Sequence, residues 1–263
     1  MNAFLSAFWA ETLKARRSQV SLLTAAASSI LPLIGGLFMI ILKNPEQARA
    51  MGLISIKSQL TAGVADWPTY FELLLQSTAM AGTILFAFIT AWVFGREFSD
   101  HTAKELLALP TPRGVIVGAK LVLIALWVLG LTLMVFVIGL GVGTAVGIPG
   151  WSLKLECSSI WSLMTIALLI FMLMPFVALF AGAGRGYLPP LGWAFFSFVL
   201  AQIVSLLGWG DWLPWSVPVL LSGMFGPRGA EQIGIHSYIL VLLAFVAGVA
   251  ATFAWWQSAD QTR

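Results

Sequence analysis

Long apolar runs separated by short charged patches dominate this chain. Six runs reach the ~20 mostly apolar residues that a bilayer crossing requires: roughly 20–42, 73–95, 115–147, 159–184, 187–207 and 235–257. Backbone polar groups in lipid need partners inside their own segment, so each run is predicted to be a helix. A closed barrel would show alternating polarity, and these runs do not. The third run exceeds one crossing and is expected to project or bend near its glycine-rich end. Residues 1–19 have a different period. Phe4, Leu5, Phe8, Trp9 and Leu13 share one side of a helical wheel, with Ser6, Lys14 and Arg17 on the other. That pattern predicts an interfacial amphipathic helix lying on the membrane.

Composition agrees. Of 263 residues, 59% are hydrophobic and 10% charged, against about 25% charged in soluble domains. The fold class predicted is an all-α polytopic membrane protein whose main solvent is the lipid bilayer. A net charge of +3 is no sign of nucleic-acid affinity here, because basic residues in such chains mark the cytoplasmic face. With both termini inside, the inner segments carry nine Lys and Arg and the outer segments five. The expected location is therefore the cytoplasmic membrane with both termini cytoplasmic. Val20 to Leu42 is too long for a signal h-region and follows Lys14, Arg16 and Arg17, so it reads as an uncut first span. A single cysteine, Cys157, excludes an intrachain disulfide, and two distant histidines offer no metal cluster.

The outer connections are uneven. Residues 43–72 are expected to hold a short surface helix after Pro45. Residues 208–234 carry Trp209, Trp212 and Trp215 with Pro214 and Pro218. They read either as a re-entrant pair of short helices or as a surface loop.

Loop 96–114, between the second and third spans, concentrates charge. Arg96, Glu97, Asp100, Lys104, Glu105 and Arg113 lie there, with Lys120 just beyond. Asp100 is a candidate N-cap, Thr102 and Glu105 have capping-box spacing, and Pro110 stops the helix after Leu109. A two-turn helix is marginal alone in water and needs its own spans or a partner to hold it. Its acids and its leucines, Leu106, Leu107 and Leu109, suit a groove on another protein; a plain solvated loop is the alternative.

These residues carry a resemblance. Glu97, Thr102, Leu106, Leu107, Pro110, Arg113 and Lys120, set between the second and third of six spans, resemble the pattern in permeases of type-2 ATP-binding-cassette exporters. The amphipathic N-terminus and the broken stretch before the last span also fit, so the resemblance covers nearly the whole chain. Thr111, between two prolines, departs from the pattern and leaves the end of the short helix open. The resemblance implies that this helix is a coupling helix seated in a separate cytosolic ATPase, with Glu97, Asp100, Thr102, Glu105, Leu106, Leu109 and Arg113 as docking residues. It further implies two ATPase copies holding ATP and Mg, and a second permease copy or paralogue meeting this one along the second and fifth spans. Such families move drugs, peptide antibiotics or lipid-like compounds, and some extrude sodium.

Other motifs are weaker. No G-x-x-x-x-G-K-[ST] occurs, so the chain binds no nucleotide by a phosphate loop, and no cofactor or enzymatic activity is expected of it. Gly139, Gly143 and Gly147 are best explained by close helix packing, and Gly182 and Gly186 likewise. Ser222 and His236 invite a serine-protease reading, but Leu220 stands where the tight turn needs glycine. Inside the spans only neutral polar groups occur. Gln76, Thr83, Thr90, Gln202 and Ser205 are candidates for a translocation path, or else for helix–helix bonding. The lack of mid-span charge argues against a secondary carrier. A stand-alone secondary transporter or membrane-embedded enzyme remains the alternative function.

Overall fold

A computed structural model describes residues 3–44, 64–100, 102 and 111–258. The expected surface helix after Pro45 and most of the expected Asp100–Leu109 helix lie outside them. Every regular element described is helical. Six helices are long and apolar enough to cross a membrane: Gln19–Lys43, Trp67–Ser99, Arg113–Val146, Leu153–Ala183, Leu188–Leu206 and Ile235–Ser258. They are called spans 1 to 6. Spans 2 and 4 are central, with 61% and 56% of their most apolar windows buried, against 22–28% for spans 1, 5 and 6.

An amphipathic helix, Ala3–Arg17, precedes span 1. Leu5, Trp9 and Leu13 point outward, whereas Glu11 and Ala15 are buried against the bundle. The helix packs mainly on span 3. Lys14, Arg16 and Arg17 occupy its last turn, where cations suit the negative end of the helix dipole. Ser18 then separates it from span 1, its Oγ accepting from the Val20 N–H at 3.0 Å.

Span 2 begins at Trp67, six residues before the first residue predicted for it. The Asp66 carboxylate accepts from the Thr69 N–H at 3.0 Å and Pro68 occupies the first turn, which is a strong start signal. A π-helical turn, Thr78–Gly82, interrupts this span before it resumes as Thr83–Ser99.

Span 3 is one helix of 34 residues, about 51 Å long at 1.5 Å per residue. It runs as an unbroken α-helix through Gly139 and Gly143. Gly139 and Gly143 make room for neighbours: a Cβ at Gly139 would meet Leu74, and one at Gly143 would meet the Trp67 indole. The helix ends at Gly147, whose φ of 65° is left-handed. The Lys43 ammonium donates to the Val146 and Gly147 carbonyls at 2.9 and 3.2 Å, tying the ends of spans 1 and 3. Gly182 packs against Trp255; a Cβ at Gly186 would meet nothing, although the Gly186 backbone lies against Gly95 of span 2.

Span 6 packs chiefly on span 4. Pro175 lies inside span 4, and its carbonyl accepts from the Thr252 hydroxyl of span 6 at 2.9 Å. Between spans 5 and 6 the chain forms short turns, Gly210–Trp212 and Pro214–Ser216, then helices Val217–Leu221 and Pro227–Glu231. Val217, Val219 and Leu220 are buried, and Ser216 Oγ donates to the Ala201 carbonyl at 3.1 Å. These turns fold back onto the bundle.

Candidate functional site

At one end of the bundle, the N-terminal helix, the end of span 2 and the start of span 3 meet around four charges. Lys120 lies two turns into span 3 and is wholly buried. Its ammonium donates to Glu97 Oε1 at 2.7 Å, Glu11 Oε2 at 2.9 Å and the Val93 carbonyl at 2.8 Å. An ammonium has three donors, and all three are used. Lys14, on the solvent side, donates to Glu11 Oε1 at 2.7 Å and reaches Glu97 Oε1 at 3.3 Å. Two acids and two bases therefore form a neutral set. Burial alone would raise the Glu11 carboxyl, but Lys120 and Lys14 outweigh it and hold the group below its ordinary value. Glu97 Oε2 is buried with no hydrogen-bond partner among the described residues.

This geometry corrects part of the predicted docking set. Glu97 is 2% exposed and faces its own chain, so it offers no surface to a partner. Arg113 is half-buried, and its guanidinium donates to the Trp256 and Gln257 carbonyls at 3.3 Å each, tying it to the last turn of span 6. Asp100 and Thr102 are exposed. Asp100 is the C-cap of span 2, and the Thr102 N–H donates to the Glu97 carbonyl at 2.9 Å. Glu105, Leu106 and Leu109 lie outside the described residues. Loop 96–114 is therefore rooted at both ends in buried ion pairs or backbone bonds.

Glu11 was missed in the sequence. It follows Phe4 and Phe8 by seven and three residues and precedes Ala15 by four, so it shares the stripe that faces the bundle. An acid on such a stripe signals a buried cationic partner.

The candidate path residues are dispersed. Gln76 and Thr83 are half-buried, and the Thr83 hydroxyl donates to the Ala79 carbonyl inside the π turn at 2.6 Å. Thr90 is fully buried and donates to the Phe86 carbonyl at 2.8 Å, so it lines no open route in this conformation. Gln202 Nε2 and Ser205 Oγ of span 5 are buried without partners among the described residues, as is Thr78 Oγ1 of span 2. Span 5 packs on the Thr83–Ser99 half of span 2. Thr78 belongs to the π turn itself, whereas Gln202 and Ser205 lie toward the end of span 5.

The protease reading has no geometric support. Ser222 Oγ donates to the Val219 carbonyl at 2.7 Å. His236 Nε2 lies 3.0 Å from Asp211 Oδ2 and 3.3 Å from Ser237 Oγ. Both partners crowd one ring nitrogen, whereas a relay needs one on each.

The comparisons with known proteins agree with this architecture. A family model described as "ABC-2 family transporter protein" matches residues 7–201, which include all four charges of the cluster. The bacitracin transport permease protein BCRB of Bacillus licheniformis is 28% identical over 197 residues, covering 73% of this chain and 91% of that protein. The chain belongs to the ABC-2 family of transporter proteins, as a permease subunit.

Proposed function

We propose that this permease is the membrane half of an ATP-driven exporter, with ATP and Mg²⁺ bound and hydrolysed by a separate cytosolic subunit. Two ATPase copies dock on loop 96–114, chiefly through its exposed residues. The charged end is cytoplasmic, as its excess of Lys and Arg requires, and both termini lie there in the cytoplasmic membrane.

The observation that supports this reading is the ion cluster at the root of the loop. Glu97, Lys120 and Glu11 join span 2, span 3 and the N-terminal helix through bonds of 2.7–2.9 Å. Parting a buried pair costs about 3–5 kcal/mol. A push on the loop is therefore passed to all three elements together, and is not absorbed by one fraying helix end.

The cargo is hydrophobic or amphipathic, with a peptide antibiotic favoured by the bacitracin permease relative. A second copy or a paralogue completes the route. Ala81, Ile84 and Phe88 of span 2 form an exposed stripe, and Phe196, Val199 and Ile203 are exposed on the adjoining span 5. These apolar faces suit a permease–permease seam within the bilayer.

Affinity purification in mild detergent tests the proposal. A soluble ATPase should accompany the permease, and cargo efflux should require ATP. A permease that purifies without any nucleotide hydrolase and moves cargo on an ion gradient would refute it.

A further inference from the structure

Beside the ion cluster lies a polar cavity of about 450 Å³, within the ~300–1,000 Å³ range of ligand sites. Three cations line it: Lys14 and Arg17 from the N-terminal helix and Arg96 from span 2. Ser18, Trp92, Asp100 and Tyr187 complete the wall. Lys14 is already matched by Glu11 and Glu97. Among the described lining residues, Arg17 and Arg96 face only the Asp100 carboxylate, an excess of one positive charge. That is the complement of one phosphodiester. The Arg96 guanidinium lies over the Trp92 ring, 4.9 Å from its centre. Burial, with the Asp100 carboxylate, pushes the Tyr187 phenol above its ordinary value, so it lines the cavity as a neutral hydroxyl.

The depth of the cavity points to the ligand. Leu5, Trp9 and Leu13 face outward on the helix that ends in Arg17. A helix with such a face lies at the boundary of headgroups and acyl chains, and tryptophan prefers the same level. We propose that this cavity binds the phosphate group of an anionic phospholipid, with Arg17 and Arg96 as its ligands, and that the bound lipid helps hold the N-terminal helix against span 2. Guanidinium is suited to this task because its planar fork matches phosphate oxygens. Free inorganic phosphate shares that chemistry, and an acidic segment of a partner protein could pair with the same charges.

Native mass spectrometry of the purified permease distinguishes these. The wild type should retain phosphatidylglycerol in preference to phosphatidylcholine. Arg17→Gln with Arg96→Gln should weaken phosphatidylglycerol retention about tenfold or more, while the Lys pair at both positions keeps part of it. Inorganic phosphate at millimolar concentration should not displace the lipid. Equal retention in wild type and the Gln pair, or equal retention of the two lipids, would overturn the proposal. Displacement by inorganic phosphate would reassign the site to the free anion. Undiminished lipid retention together with lost ATPase co-purification would reassign it to the partner. Should the Gln pair fail to fold, Arg17→Gln alone, at the exposed helix end, carries the same test. The lipid-retention measurement uses the permease alone and does not depend on the exporter reading; only the co-purification readout involves the ATPase.

Discussion

Replacing Lys120 by methionine probes the cluster most sharply, because the side chains are similar in length and only the charge and its donors are lost. In the wild type the ammonium serves Glu97, Glu11 and the Val93 carbonyl and is wholly buried. Without it, Glu97 retains only the 3.3 Å approach of Lys14, and one Glu11 oxygen loses its partner. Two buried carboxylates then share one half-exposed ammonium. Breaking a buried pair from one side costs about 3–5 kcal/mol. Adding Glu97→Gln removes the stranded charge and should recover about half of that loss, giving a coupling energy on the order of 2 kcal/mol. The assay is reversible unfolding in mixed micelles followed by tryptophan fluorescence, across the wild type, both single variants and the double variant. A loss below about 1 kcal/mol for Lys120→Met, or strictly additive single effects, would refute the claim that these charges act as one buried unit.

Three further outcomes follow from the structure. Gly143→Ala should destabilise by about 1–3 kcal/mol through overpacking against Trp67, whereas Gly186→Ala, which meets nothing nearby, should cost far less in the same unfolding assay. The folded-state value of Glu11 is depressed, so its contribution is complete above its unfolded value, ~4.3, and is lost as pH falls through the lower folded value. A thermal-stability profile should therefore decline on the acid side, and Glu11→Gln should flatten that decline. Gln76→Leu and Thr83→Leu, at half-buried positions flanking the π turn, should alter cargo efflux without reducing complex yield; unchanged efflux would remove them from the route.

The spans were legible because lipid imposes long apolar runs, and each predicted run corresponds to a helix. The early start of span 2 was harder to see. Trp67, Tyr70, Phe71 and Leu74 form a buried face, but Thr69 and Glu72 interrupt the run, and only the Asp66 cap with Pro68 marks its origin. Gly139 and Gly143 of span 3 are the packing positions expected of them, whereas Gly147 ends the helix in a left-handed cap. The charged cluster was not legible. Residues 11, 14, 97 and 120 come from three elements, and each alone resembles a solvated charge near a helix end. Only the packing of the N-terminal helix on span 3 closes water out and turns Glu97 from a surface acid into a buried one. The threonine hydroxyls likewise looked free in the sequence, yet Thr83 and Thr90 bond carbonyls one turn back, a choice that composition does not reveal.

The account turns on loop 96–114 being gripped by a nucleotide-driven partner. Its most direct measurement is site-specific cross-linking from a cysteine at position 106, in a chain with Cys157→Ser, to the ATPase that co-purifies with the permease. The account predicts an adduct whose yield changes when ATP is added, with position 106 labelled only from the cytoplasmic side. Labelling from the opposite side, or no adduct in any nucleotide state, would contradict it.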